Sequence, residues 1–381
     1  MSIVRPGGRE AGTASHIQGL DVIRGLAALL VVLGHSRELF LGDRALPLQG
    51  SSLLERSLLA PSSFAVESVA VFFVLSGYLV GGQLIRAVRS REFGWRRYIA
   101  NRVSRLSTVL VPGLVITLLL DLIRYAMEGQ EGGLQNTGPL EFLCNAVYLQ
   151  GPYCDTYGSN DSLWSISYEF WFYIVAAGIA TVILGTVTRS GWRIVLGVLV
   201  AVGCVLLFGP TLLLYIPAWV LGALLSPLSE RLRVRVSNAK RRNRIALVLG
   251  SVVVLLAAML VSNLQGLDRP VTMILVGIAT APLILFVGSG AGGRGGSTIA
   301  RFAWFGTWSY SVYIFHMPIV LVLVVAFQSL ALSTMAAVGM VYLVAALAAA
   351  ASIGLYWPFE RNTQVVRGWL LSLLRVPPRR G

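Results

Sequence analysis

Ten stretches of about 20 residues, almost free of charge, recur along this chain: residues 20–41, 64–85, 106–126, 162–187, 192–209, 211–228, 245–262, 271–289, 304–328 and 334–357. A helix rises ~1.5 Å per residue, so each stretch is long enough to cross the ~30 Å hydrocarbon core of a bilayer. Lipid offers no partner to a bare N–H or C=O, so such stretches fold as helices. The fold class expected is therefore all-α: a polytopic membrane bundle of about ten transmembrane helices. Pro112, Pro217, Pro282 and Pro318 fall inside spans, which bilayer helices tolerate when neighbours re-satisfy the backbone. Composition points the same way, with 56% hydrophobic and only 13% charged residues. A chain with so little polar surface cannot cover itself in water, which excludes a soluble enzyme, a disordered chain and a disulfide scaffold. The apolar core of the first span, Gly25–Gly34, is also of signal-peptide length. It is followed by His35, Ser36, Arg37 and Glu38 instead of a small-x-small cleavage site, and is read as a span.

The net charge of +14 suggests a nucleic-acid partner until its distribution is considered. The basic residues form short runs between spans: Arg86 to Arg105, Arg189 and Arg193, Arg231 to Arg244, Arg294 and Arg301, and Arg361 to Arg380. With ten spans and both termini inside, each of these runs lies on the cytoplasmic side, as the positive-inside rule requires. Residues 126–161 contain no Lys or Arg but hold Glu128, Glu131, Glu141, Asp155 and Asp161, and belong outside. The expected organisation is a cytoplasmic segment 1–19, a transmembrane domain 20–360 and a basic cytoplasmic tail 361–381 in the cell membrane, with no nucleic-acid partner. Cys144 and Cys154 in the outer segment suit either a disulfide or two free thiols, since spacing alone decides nothing. Cys204 reads as a small apolar residue. Gly288 to Gly293 matches a dinucleotide fingerprint without the strand and helix that would give it meaning, and is read as a loop. Asn160-Asp161-Ser162 matches a glycosylation acceptor, but Asp161 reads better as a helix N-cap.

Ionisable residues inside spans are costly and are functional candidates by default. Three stand out: His35, Glu169 and His316. Counted from the inner ends of their spans at ~1.5 Å per residue, they lie roughly 22, 19–20 and 18 Å deep, a similar level. Arg24 precedes His35 by eleven residues, about three turns, so the two share a face roughly 16 Å apart. Arg102 and Arg105, three apart, share a face at the inner start of the third span. Three arginines at one rim with an ionisable set further in suit a long ligand carrying phosphates at one end and a reactive group at the other. Each has a plainer reading. An intramembrane histidine can bond a neighbouring helix, rim arginines can be topological anchors, and Ser309, Tyr313 and His316 can form a polar packing seam. A lone carboxylate such as Glu169 is hardest to explain without a partner.

These residues sit in segments that resemble the acyltransferase-3 family, integral-membrane O-acyltransferases of the O-antigen and exopolysaccharide acetylase type. The segments are Gly19–His35 (GLDVIRGLAALLVVLGH), Phe72–Tyr78 (FFVLSGY), Arg102–Arg105 (RVSR), Ser162–Tyr173 (SLWSISYEFWFY) and Tyr310–Pro318 (YSVYIFHMP). They occur in the family's order and span about 19 to 361. The resemblance implies that Arg24 and His35 are the family's basic-residue-to-histidine pair, that Arg102 and Arg105 are its paired arginines, and that Glu169 and His316 are its later polar positions. Two positions depart from the pattern. Ala70 stands where an acidic residue often precedes the paired phenylalanines, with Glu67 nearby, and Asn362 replaces the proline of the closing motif. With the sequence ending at 381, no fused hydrolase-like domain is expected.

The function expected is transfer of an acyl group, acetyl above all, from acyl-CoA to a hydroxyl of a cell-surface or lipid-linked carbohydrate. Acyl-CoA would be a co-substrate, with no permanently bound cofactor and no metal. Arg24, Arg102 and Arg105 would hold its phosphates. His35 would act as general base, Glu169 would orient or charge-stabilise that ring, and His316 would be a second acid/base group or bind the acceptor. The alternative of another class is a polytopic transporter or flippase, although no matching halves with interrupted helices are visible.

Overall fold

The computed structural model describes residues 18–42, 52–129, 134–289 and 302–377. Among them there is no strand beyond an isolated bridge between Gln150 and Cys154, and ten helical spans are long and apolar enough to cross a membrane. The loop containing most of the Gly288 to Gly293 match, the basic positions Arg294 and Arg301, Glu131, most of the N-terminal segment and the last four residues lie outside the described residues.

The helices, in order, are α1 (Gln18–Gly42), α2 (Leu53–Leu59), α3 (Ala65–Ser76), α4 (Gly82–Arg89), α5 (Trp95–Glu128), α6 (Pro139–Ala146), α7 (Trp164–Val187), α8 (Gly191–Phe208), α9 (Pro210–Asn238), α10 (Arg241–Gln265), α11 (Arg269–Gly288), α12 (Ser309–Phe327), α13 (Thr334–Tyr356) and α14 (Thr363–Leu373). α3 and α4 form one span joined by a π-helical turn, Gly77–Gly81. Turns of this kind are frequent at functional sites. α1 is central, packed on α3, α12, α13 and the 3₁₀ turn Ala303–Gly306. α8 and α10 are peripheral and expose much of their apolar surface, whereas half or more of α1, α7 and α12 is buried.

Several helices overrun the apolar stretches that announce them. α5 begins at Trp95, eleven residues before the expected 106, and α9 continues to Asn238 instead of 228. Hydropathy marks where a helix meets hydrocarbon, while arginine is a good helix former and carries the helix on into the polar layer. The ninth span starts later than expected, at Ser309, because Ala303–Gly306 forms a separate 3₁₀ turn. Within the basic tail, α14 packs on α5 and exposes Val365, Trp369 and Leu373 at intervals of four, an apolar stripe suited to a membrane interface. Basic residues also occur at the opposite ends of spans, where each has a local partner. Arg37 donates to Ser63 Oγ, Arg124 faces Asp121 at 3.9 Å, and the Arg269 guanidinium lies over the Trp164 ring.

The packing of α1 on the 3₁₀ turn depends on two glycines. A Cβ on Gly306 would lie 2.4 Å from Asp21 Cβ, and one on Gly25 would lie 2.7 Å from the Phe305 carbonyl carbon. Only hydrogen at both positions lets the two backbones meet, and that contact positions Arg24.

Between α5 and α7, Cys144 and Cys154 are joined by a disulfide, with Cα atoms 6.5 Å apart. The buried Asn145 side chain organises the loop, donating to Glu141 O (2.9 Å) and Asp155 O (3.0 Å) and accepting from Tyr157 N (3.1 Å). Asp161 does not cap α7. It accepts from Thr156 Oγ1 and sits in a 3₁₀ turn whose N-cap is Asn160. Cys204 is a buried free thiol.

Candidate active site

A cavity of about 210 Å³ opens between α1, α3, α5, α7 and α12, and its lining includes Arg24, Arg102, Arg105 and Glu169. These four come from three helices, and the structure brings them together. Arg24 is held on two sides: it donates to Asp21 Oδ1 at 3.1 Å and to the Gly306 carbonyl. Its Nε is buried without a protein partner. Arg102 is buried rather than at a rim, 9% exposed. It donates to Gln83 Oε1 at 3.3 Å, and its guanidinium lies 5.6 Å from the Tyr173 ring centroid and 5.8 Å from that of Tyr98. Aromatic faces are attractive to a cation, which offsets part of the cost of burying it. Arg105, one turn on, remains exposed.

Glu169 has a partner that sequence reasoning did not supply. The Tyr173 hydroxyl, one turn on along α7, donates to it at 2.5 Å. Tyr173 lies 2.9 Å from Ser76 Oγ, which in turn accepts from Trp219 Nε1 at 3.3 Å. Indole can only donate, and Tyr173 spends its proton on the carboxylate, so Ser76 donates to Tyr173. The result is a one-way chain, Trp219 to Ser76 to Tyr173 to Glu169, each bond polarising the next. Glu360, two residues before Asn362, accepts from Ser311 N (2.9 Å) and Oγ (2.7 Å). It caps the first turn of α12, where a carboxylate complements the helix dipole.

His35 and His316 also come together, but outside the cavity lining. Their rings stack at 5.4 Å between centroids with an interplanar angle of 29°. His316 is fully buried. Its Nδ1 lies 3.0 Å from Val312 O and 2.9 Å from Tyr313 O. Both neighbours are acceptors, so Nδ1 carries the proton and Nε2 keeps a lone pair, with no partner in the protein. His35 is partly exposed, and the Glu38 carboxylate stands 3.5 Å from its Nδ1. Tyr313 links the two compartments: it lines the cavity, its ring centroid is 6.0 Å from that of His316, and its hydroxyl is 2.6 Å from Ser165 Oγ.

The six candidates therefore form two groups. Arg24, Arg102, Arg105 and Glu169 share the cavity, while the two histidines pair beside it. Similar depth does not put Glu169 against either imidazole, because depth leaves lateral position open. Its partner, Tyr173, lies on α7, with Ser76 at the end of α3 and Trp219 on α9 behind it.

A second, more open cavity of about 420 Å³ shares Gln83 and Arg102 with the first. Arg96, Arg97 and Arg375 line it, with Phe93, Trp95 and Tyr98. The Phe93 ring lies 5.8 Å from Trp95 and 5.7 Å from Tyr98. Arg97 donates to Pro377 O, and Arg367 Nε to Asn101 Oδ1 at 2.7 Å, so the segment around α14 forms one wall. Among the described residues no group of three or more His, Cys, Asp or Glu is placed to hold a metal ion.

The model of the acyltransferase-3 family, an acyltransferase domain, matches residues 17–357. Nodulation protein 10 of Rhizobium leguminosarum bv. viciae is 29% identical over 181 residues, which cover 42% of this chain and 44% of that protein. The chain thus spans under half the length of that relative. No solved structure matches.

Proposed function

This chain belongs to the acyltransferase-3 family, and from that premise we propose that it is a cell-membrane O-acyltransferase. It moves an acyl group, acetyl in the first instance, from acyl-CoA to a hydroxyl of a cell-surface or lipid-linked carbohydrate. Both termini and the more open cavity face the cytoplasm, where the donor is made.

The observation that carries this reading is the junction of the two cavities at Gln83 and Arg102. The outer one offers Arg96, Arg97 and Arg375 beside aromatic rings, groups that suit phosphates and a nucleotide base. The inner one sets arginine, tyrosine, serine and a carboxylate among apolar side chains such as Phe72, Leu79 and Ile166. A ligand charged at one end and reactive at the other fits this order. Arg102 stands at the neck and Arg105 in the inner cavity, both available to donor phosphates. Arg24, with two of its contacts already made, adds fixed positive charge for the donor phosphates, roughly 16 Å along α1 from His35.

Chemistry takes place towards Tyr313 and the histidine pair. The acceptor oxygen attacks the thioester carbonyl as its proton passes to an imidazole, the new C–O bond forms, the C–S bond breaks, and the CoA thiolate leaves to be protonated. His35 is the general base and His316 the second acid/base group, with the Nε2 lone pair ready to accept a proton. Glu169 contacts neither ring. It closes the hydroxyl chain through Tyr173 and sets the electrostatics of the cavity.

Acyl-CoA-dependent acylation of a glycan acceptor in proteoliposomes, with release of CoA, tests the assignment. The reading fails if His35→Ala retains near-wild-type turnover at equal protein level, or if acceptor flux proceeds without acyl-CoA.

A further inference from the structure

His316 lies two residues before Pro318 in the middle of α12. Proline has no N–H, so the carbonyl four residues earlier, on Ile314, loses its helical donor. Ile314 is fully buried, and a buried carbonyl left bare costs about 1–3 kcal/mol. The missing donor comes from a different part of the chain. Asn160 Nδ2, at the end of the outer segment, donates to Ile314 O at 2.9 Å. Ser162 Oγ approaches the neighbouring carbonyl, Tyr313 O, at 3.4 Å. Tyr313 O is also one of the two carbonyls bonded by His316 Nδ1.

Asn160 is itself fully buried and held from several directions. Its Oδ1 accepts from Ser162 Oγ at 2.5 Å, its Nδ2 also reaches Thr117 Oγ1 on α5 at 3.2 Å, and its backbone N–H bonds Tyr157 O. Aspartate would lack the amide donor, and leucine would leave the carbonyl bare. We infer that Asn160 is a positioning residue for His316: by replacing the donor that Pro318 removes, it sets the carbonyls that fix the His316 ring and its tautomer. Nothing in the sequence pairs residue 160 with residue 314. The inference rests on the proposed role of His316 in acyl transfer, but its structural part can be read without any activity.

The chain has three histidines, His16, His35 and His316, so ¹⁵N-histidine NMR of the full-length protein in nanodiscs resolves them by substitution. The wild type is expected to show His316 in the Nδ1–H tautomer. Asn160→Ala and Asn160→Asp should convert that signal to a tautomer mixture and lower kcat about tenfold to a hundredfold, the order expected for misplacing a reacting group, with donor KM within about twofold since the arginine cavity is untouched. Pro318→Ala restores a backbone N–H four residues after Ile314. Combined with Asn160→Ala, it should return the single tautomer and most of the lost kcat. The inference is overturned if Asn160→Ala, at equal folded protein, leaves tautomer and kcat unchanged, or if the double variant is no better than the single. Should Asn160→Ala not fold, the same criteria apply to Asn160→Asp and to the double variant. A wild type with no acyl transfer but a His316 tautomer that responds as described refutes the proposed activity and supports the positioning of His316.

Discussion

The imidazoles of His35 and His316, 281 positions apart in the chain, stack at 5.4 Å between centroids, with the inner ring locked by two backbone carbonyls of its own helix and the outer ring partly open. One ring is held by its own backbone and the other is partly exposed beside the Glu38 carboxylate, an arrangement that suits a proton carried between acceptor and leaving group.

Removing either imidazole should therefore cost most of the turnover. His35→Ala and His316→Ala are each expected to lower kcat by about 10²–10⁴-fold. The double variant should fall by much less than the product of the two, because groups that act as a unit are not additive. CoA release by purified protein in lipid measures this, and a multiplicative loss would indicate two independent roles.

Tyr173→Phe deletes one hydroxyl in the middle of a chain. Glu169 loses its donor and Ser76 its acceptor, and leaving such buried groups unpaired is expected to destabilise the protein by about 1–3 kcal/mol. Thermal unfolding in detergent should show a lowered midpoint. Glu169→Gln should restore part of it in the Tyr173→Phe background, since a neutral amide is cheaper to bury unpaired than a carboxylate.

The open cavity makes a kinetic prediction. Arg96→Ala with Arg375→Ala should raise donor KM by roughly tenfold or more, the value of one lost charge-assisted hydrogen bond, and leave kcat close to wild type. The donor KM should also become less sensitive to salt. A fall in kcat at constant KM would place these arginines elsewhere in the cycle.

Gly306→Ala sets a methyl group against Asp21, where an ideal Cβ lies 2.4 Å from Asp21 Cβ and 2.7 Å from its Cα. Backbone must move, at a cost of about 1–3 kcal/mol for overpacking of this kind, and the Arg24 bond to residue 306 is lost with it. Lower thermal stability together with weaker donor binding is expected. An unchanged melting point would mean that the contact of α1 with the 3₁₀ turn is loose.

Ten spans were legible in the sequence because a membrane helix is specified by its own residues: length and apolarity act locally and need no partner. His35, Glu169 and His316 were legible for the same reason, since an ionisable group in an apolar stretch stands out wherever it packs. Arg24, Arg102 and Arg105 were found by spacing on their helices, and they do share a cavity. Arg96, Arg97 and Arg375 were not singled out, because topology already accounted for basic residues near span ends. Tyr173, Gln83 and Asn160 gave no signal, as neutral polar residues are unremarked until their partners are known.

What remained for the tertiary structure was lateral position. Depth along a helix can be counted from residue numbers, but which helix lies beside which depends on side-chain shape across the whole bundle. That is why two histidines met, why Glu169 found a tyrosine instead of an imidazole, and why Cys144 and Cys154 closed into a bridge. The chain specified its helices and the costly groups inside them one segment at a time. Packing between segments, through close contacts such as Gly306 on Asp21 and long-range bonds such as Asn160 to Ile314, decided which of those groups could act on one another.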